Sequence, residues 1–380
     1  MGRFVSRTLQ MESASAILFC EPEAGGLRVA ALTVLDRLVV TAHRAGCRSI
    51  TIVCDGEMPP IPRARALGIE PVIARKAPKF SGQTLVVSTN VLVSVSDLKR
   101  LLAEGGRLVT RERKLLPIGV LKKLEGTLAK SLGRERRVMA EGVAMRVADN
   151  FSARTAEVEL WDTMGSSTDG LVDQYFNRPA GRILSKVLIH TPVSPNQVSV
   201  FATLLGVYAA WWFTQVEPGN HMGAIVGALL LQLSAAVDCV DGDLARVQYK
   251  ESRLGKWLDL AGDQVVHVAL FVGIAVGLSR AHPEVPAGAL GVSAAVGVLI
   301  AFGVVLRGIL HPEARGNSRV QRLIDATTNR DFSVLIIVLA FADRLDWFLW
   351  AAAVGVHGFW MLALGLQLYG RKTSTKEEAV

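Results

Sequence analysis

The sequence predicts two fold classes in one chain. An N-terminal α/β domain with a mostly parallel sheet is followed by an all-α membrane domain of six transmembrane helices, entered through an interfacial amphipathic helix. Half of the 380 residues are hydrophobic, which is too apolar for a wholly soluble chain, and the length exceeds one ordinary domain. The apolar runs long enough to cross a bilayer all lie after about residue 190. Before that point, short Val- and Ile-rich runs alternate with amphipathic stretches.

The first domain is assigned to residues 1–168. "SAILFC", "SITIVCDG" and "TLVVSTNVLVS" read as strands, while "LTVLDRLVVTAHRAG" and "VSDLKRLLAEGG" have helical periodicity between them. This βαβ rhythm implies a parallel sheet covered by helices. The start, "MGRFVSRTLQMESASAILF", has neither a sustained apolar core nor a small-residue cleavage site, so a cytosolic location is expected for this domain. It carries 25 Lys and Arg against 17 Asp and Glu, whereas the remainder of the chain carries 17 of each. An excess confined to one domain suits an anionic membrane surface. Nucleic-acid binding is disfavoured, since the basic residues are scattered and few aromatics interleave them. Cys20, Cys47, Cys54 and Cys239 have neither CxxC nor zinc-ligand spacing and are expected to be reduced thiols.

Residues 169–192, "DGLVDQYFNRPAGRILSKVLIHTP", set Arg178, Arg182 and Lys186 among Leu, Ile and Phe. That pattern predicts a helix lying in the membrane interface. The membrane domain is assigned to 193–372 and a polar tail to 373–380. Six spans are expected, at about 197–216, 222–240, 257–279, 287–310, 331–345 and 347–369, near the ~20 residues a bilayer core requires except for the short fifth. Arg315, Arg319, Arg322 and Arg330 in 311–330, with Arg371 and Lys372 in the tail, contrast with only Arg280 and Arg344 in the opposite loops. Both termini are therefore expected in the cytosol, with the chain a multi-pass protein of the cytoplasmic membrane.

The segment 238–263, "DCVDGDLARVQYKESRLGKWLDLAGD", places Asp238, Asp241, Asp259 and Asp263 at the expected cytosolic ends of spans two and three. On helices, Asp238 and Asp241 share a face, as do Asp259 and Asp263. Four converging carboxylates would repel one another and suffer desolvation unless cations neutralise them. Hard oxygen ligands favour two divalent ions, Mg²⁺ or Mn²⁺, with room for phosphate oxygens. Gly242 permits close backbone approach, Ala245 and Gly255 permit close helix packing, and Arg246 can pair with phosphate. The bland alternative is a set of helix-capping or snorkelling aspartates.

Asp238, Asp241, Gly242, Ala245, Arg246, Gly255, Asp259 and Asp263, at these spacings, resemble the signature of the CDP-alcohol phosphotransferase family. The resemblance implies a metal-dependent enzyme that moves a substituted phosphate from a CDP-alcohol to an acceptor alcohol and releases CMP. It assigns the four aspartates to the metals, Asp263 also to the general base, and Pro195, Asn196, Gly242, Ala245, Arg246 and Gly255 to the nucleotide. The segment from 169 and "NRDF" at 329–332 are similar to members that join a nucleotidyltransferase-like domain to the membrane domain, including di-inositol phosphate synthases. Arg307 and Arg330 are then candidates for acceptor-phosphate binding. The donor is expected to be CDP-diacylglycerol or CDP-inositol, the acceptor a polyol or inositol phosphate. Membrane lipids and a second copy of the chain are the expected partners, the homodimer also motivated by the small-residue run "AGALGVSAAVG". His267 reads as a hydrogen-bonded interior histidine rather than a catalytic one.

The order of elements in the first domain resembles MobA-like nucleotidyltransferases. Their phosphate loop here reads "CEPEAGGLRVA", with Gly25, Gly26 and Arg28 as remnants, and Asn90 stands where a metal aspartate is expected. A degenerate, inactive domain follows from that resemblance, against the alternative of a bifunctional cytidylyltransferase and phosphotransferase. A non-catalytic membrane scaffold that recruits a partner through this domain is the alternative from another class.

Overall fold

The computed structural model describes residues 14–80, 82–165, 170–310 and 332–377. Two compact units result: residues 1–164 with Val247–Tyr249, and 165–246 with 250–380. Arg315, Arg319, Arg322, Arg330 and the junction at 168/169 lie outside the described residues, as does the start expected for the fifth span. So do the side chains of Arg371 and Lys372.

In the first unit the strands are β1 (Ala14–Phe19), β2 (Arg28–Val29), β3 (Leu32–Thr33), β4 (Cys47–Val53), β5 (Val72–Ala74), β6 (Thr84–Ser88), β7 (Val91–Val93), β8 (Gly106–Val109), β9 (Leu115–Leu121), β10 (Arg137–Met139) and β11 (Ala144–Arg146). The helices are α1 (Pro22–Gly26), α2 (Val34–Ala45), α3 (Pro62–Ala66), α4 (Val95–Glu104), α5 (Leu128–Leu132) and α6 (Asn150–Asp162). Seven strands form the main sheet in the order β10-β8-β9-β6-β1-β4-β5. β1 pairs in parallel with β4 and β6, β4 with β5, and β8 with β10; β9 alone runs antiparallel, between β6 and β8.

Local chemistry accounts for the element ends. Thr33 caps α2 by accepting the Asp36 N–H, and Gly46, at φ 113°, ends it in the left-handed region that glycine enters without steric penalty. Ser94 caps α4 in the same way through Asp97. Every residue of β6 is buried, as expected for a central strand covered on both faces. Leu18, Leu35, Leu38, Ile52, Leu85, Leu98 and Leu101 are fully buried between the layers.

The second unit is helical. One π-helical turn, Asp173–Asn177, leads into α7 (Arg178–Leu188), followed by α8 (Pro195–Phe213), α9 (Met222–Val247), α10 (Arg253–Ala281), α11 (Ala287–Leu310), α12 (Phe332–Phe341) and α13 (Leu345–Glu377). Four stretches are long and apolar enough to cross a membrane: Met222–Val247, Arg253–Ala281, Ala287–Gly308 and Leu345–Leu368. The first and fifth expected spans are α8, of 19 residues, and α12, of 10, so the described residues support four spans by length and composition rather than six.

Glycines set the helix spacing. Gly273 and Gly277 of α10 leave no room for a Cβ against the backbone carbonyls of Ala210 and Phe213 on α8, and Gly262 lies against Thr203. A Cβ on Gly181 of α7 would lie 2.6 Å from the Ala236 carbonyl of α9. The run "AGALGVSAAVG" is used similarly, inside the chain. Gly291 packs on Ala275 and Phe271 of α10 and Gly297 on Val356 and His357 of α13, while Ala287 and Ala294 are buried. Gly288 and Ala289 of the same run are exposed, beside Val292, Val296 and Leu299 on the outer side of α11.

Candidate active site

Three helix ends build the site. α8 begins with a capping box in which Ser194 accepts from the Gln197 N–H and Gln197 reaches back to Ser194, with Pro195 in the first turn. This fixes Asn196 at a helix N-terminus. α10 begins at a second cap, where Ser252 accepts the Gly255 N–H at 2.9 Å. A Cβ at Gly255 would stand 3.1 Å from Asn196 Oδ1, so the glycine lets the two N-termini converge. α9 supplies the opposite wall with its C-terminal turns.

Asp238 and Asp241 of α9 and Asp259 of α10 each place one carboxylate oxygen within 4.8 Å of the other two. Ser199 of α8 donates to Asp241 Oδ2. Two cavities flank the group. One, of about 200 Å³, is lined by Pro195, Asn196, Ser199, Asp241, Gly242, Ala245, Arg246, Lys250, Glu251, Ser252, Gly255, Lys256 and Asp259. The other, about 40 Å³, lies among Thr203, Ser234, Asp238, Asp263, His267 and Ser333 with apolar neighbours. Asp263 stands outside the three-carboxylate group and shares this smaller cavity with Asp238.

Residues 192–359 match the family model described as CDP-alcohol phosphatidyltransferase. This segment of the chain belongs to that family. Over 118 residues the chain is 29% identical to the "Bifunctional IPC transferase and DIPP synthase" of Aquifex aeolicus, covering 31% of this chain and 26% of that protein. Over 100 residues it is 30% identical to the archaetidylinositol phosphate synthase of Pyrococcus horikoshii, covering 26% of this chain and 50% of that protein. The chain thus spans half or less of the length of these relatives. Among solved structures, Mycobacterium tuberculosis phosphatidylinositol phosphate synthase with CDP-DAG bound matches 50% of this chain and 94% of its own, at a TM-score of 0.41 and 18% identity.

Within the phosphatidyltransferase segment, every residue assigned to the nucleotide from the sequence lines the larger cavity: Pro195, Asn196, Gly242, Ala245, Arg246 and Gly255. Arg307 sits in the last turn of α11 and lines neither cavity, and Arg330 lies outside the described residues. His267 lies in the smaller cavity with its ring 5.5 Å from that of Phe332. Sequence reasoning missed Ser199, Asp243, Lys250 and Lys256. Ser199 stands one helical turn after Pro195 and could have been placed by that spacing. Lys250 belongs to the stretch joining α9 to α10, whose shape periodicity does not reveal, and Lys256 to the first turn of α10. In the first unit, Ser88 Oγ and Asn90 Nδ2 donate to the two carboxylate oxygens of Glu21 at 2.6 and 2.9 Å, so Asn90 is engaged by the chain's own acid.

Proposed function

We propose that the chain is an integral membrane CDP-alcohol phosphotransferase that transfers a substituted phosphate from a CDP-alcohol to an acceptor hydroxyl and releases CMP. One observation carries the reading: three carboxylate oxygens within 4.8 Å of one another at the edge of a cavity lined by all six nucleotide-site candidates. The donor set suits Mg²⁺ or Mn²⁺, since oxygens on opposite sides of such an ion lie about 4.2 Å apart. Asp238, Asp241 and Asp259 would hold the ions, two in all, with Asp263 beside them. When bound, divalent cations would neutralise the carboxylates and the charge developing on the phosphates.

The remaining work falls to side chains. Asn196 and Arg246, with the small surfaces of Gly242, Ala245 and Gly255, hold the cytidine nucleotide. Asp263, across Asp238 from that cavity, takes the proton of the acceptor hydroxyl. The hydroxyl oxygen bonds to the β-phosphorus, the bridging P–O bond breaks, and CMP departs with that electron pair. The names of the relatives favour an inositol phosphate acceptor, with Arg307 and Arg330 as candidates for its phosphate; CDP-diacylglycerol and CDP-inositol are the donors to compare.

We place the chain in the cytoplasmic membrane with α8 and α12 as additional spans and both termini cytosolic. In the same reading α7 and the π-helical turn before it lie in the interface: Tyr175 and Phe176 of the turn and Ile183 and Val187 of α7 are exposed, while Gly181 and Ser185 pack inward. A homodimer would use the exposed apolar sides of the spans, and a monomeric mass in nanodiscs would exclude it. The first unit serves as a degenerate nucleotidyltransferase-like domain with a structural or regulatory role, in keeping with the engagement of Asn90 by Glu21.

The test is incubation of purified protein with Mn²⁺, CDP-alcohols and polyol phosphates, with products identified by mass spectrometry. Metal-dependent CMP release with a new phosphodiester is expected. No CMP from any donor would leave the scaffold reading standing instead.

A further inference from the structure

The signature residues explain Arg246 but not the acid beside it. Asp243 of α9 is fully buried, and its Oδ1 accepts from Nη2 of Arg246 at 2.8 Å and from Nη1 of Arg178, on α7, at 3.1 Å. Arg246 is the more exposed of the two arginines, 35% against 12%, and it alone lines the donor cavity. A guanidinium on a long flexible stem is a poor anchor unless one side of its planar fork is tied. Gly242 supplies the other half of the clamp: a Cβ there would stand 3.3 and 3.4 Å from the two terminal nitrogens of Arg246, so the guanidinium lies over a bare backbone. One carboxylate oxygen is thus shared by two guanidinium groups, and Arg246 is the one at the cavity wall.

We infer that Asp243 is a positioning residue for donor binding, acting through Arg246, with Arg178 as the second cation that allows a carboxylate to stand buried at this depth. The inference rests on the phosphotransferase reading and deepens it. Asp243 touches neither donor nor acceptor. Its effect is to hold Arg246 at the cavity wall before the donor arrives, which lowers the ordering cost of binding.

The experiment follows CMP release at varied donor concentration for the full chain and for Asp243→Asn, Arg246→Gln and the double variant. Asp243→Asn should raise donor KM about tenfold with kcat changed less than about threefold. In the Arg246→Gln background the same change should alter KM less than about twofold, because the residue through which it acts is gone. Gly242→Ala, which moves the guanidinium without stranding a buried charge, should show the same dependence on Arg246 and keeps the test open if Asp243→Asn does not fold. An unchanged donor KM in these variants, or an equal rise in both backgrounds, overturns the inference. A wild-type chain inactive on every donor overturns the phosphotransferase reading and this inference with it.

Discussion

Two acidic centres in this chain differ in what surrounds them. In the first unit Glu21 follows β1, and Ser88 and Asn90 close β6, so they meet where the sheet order turns from one side of β1 to the other. Open α/β sheets bind ligands at that crevice. Here two side chains of the protein already donate to the carboxylate. In the second unit Asp238, Asp241 and Asp259 converge on one another. Carboxylates so close repel one another and favour a cation between them. The Glu21 carboxylate is satisfied by the chain's own donors; the convergent aspartates have the arrangement that suits a metal.

The contrast breaks most visibly at Asp238. Asp238→Asn removes the negative charge of one of three converging carboxylates, so turnover should fall to background and donor binding with it, both recovering only in part at high Mn²⁺. Calorimetric titration of the CDP-alcohol at matched metal concentration reads this. Asp263→Asn should be next: it keeps the shape but not the basicity, so kcat should fall by about 10²-fold or more while donor binding persists. Equal donor binding by both variants would erase the distinction between ligand and base.

The smallest effect is expected in the other unit. Glu21→Gln keeps the shape but turns one accepting oxygen into a donor, which should cost about 1 kcal/mol and shift the melting temperature by a few degrees. Phosphotransfer should be unchanged. Wild-type protein given CTP and an inositol phosphate should release no pyrophosphate, and release of pyrophosphate would make this crevice a second active site.

The two units were unequally legible. The strand and helix runs around β1, α2, β4, β6 and α4 could be read from alternation and caps alone. β9 could not, because an antiparallel insertion between parallel strands is a matter of long-range pairing. The aspartate cluster was legible because its residues sit at helical spacing on two adjoining helices, whereas Pro195 and Asn196, which line the larger cavity from α8, came from the family resemblance. Asp243 was hidden in the same motif: its significance depends on Arg178, 65 positions away on another helix. At 287–297 small residues signalled close packing, and Gly291 and Gly297 find part of it within the chain.

The proposed divalent-cation site at Asp238, Asp241 and Asp259 is tested without turnover by direct Mn²⁺ binding. Electron paramagnetic resonance of the purified chain titrated with Mn²⁺ should show bound metal in the wild type. The signal should be lost or strongly weakened in Asp238→Asn, Asp241→Asn and Asp259→Asn, and largely retained in Glu21→Gln. Wild-type binding that survives all three aspartate changes would contradict the account.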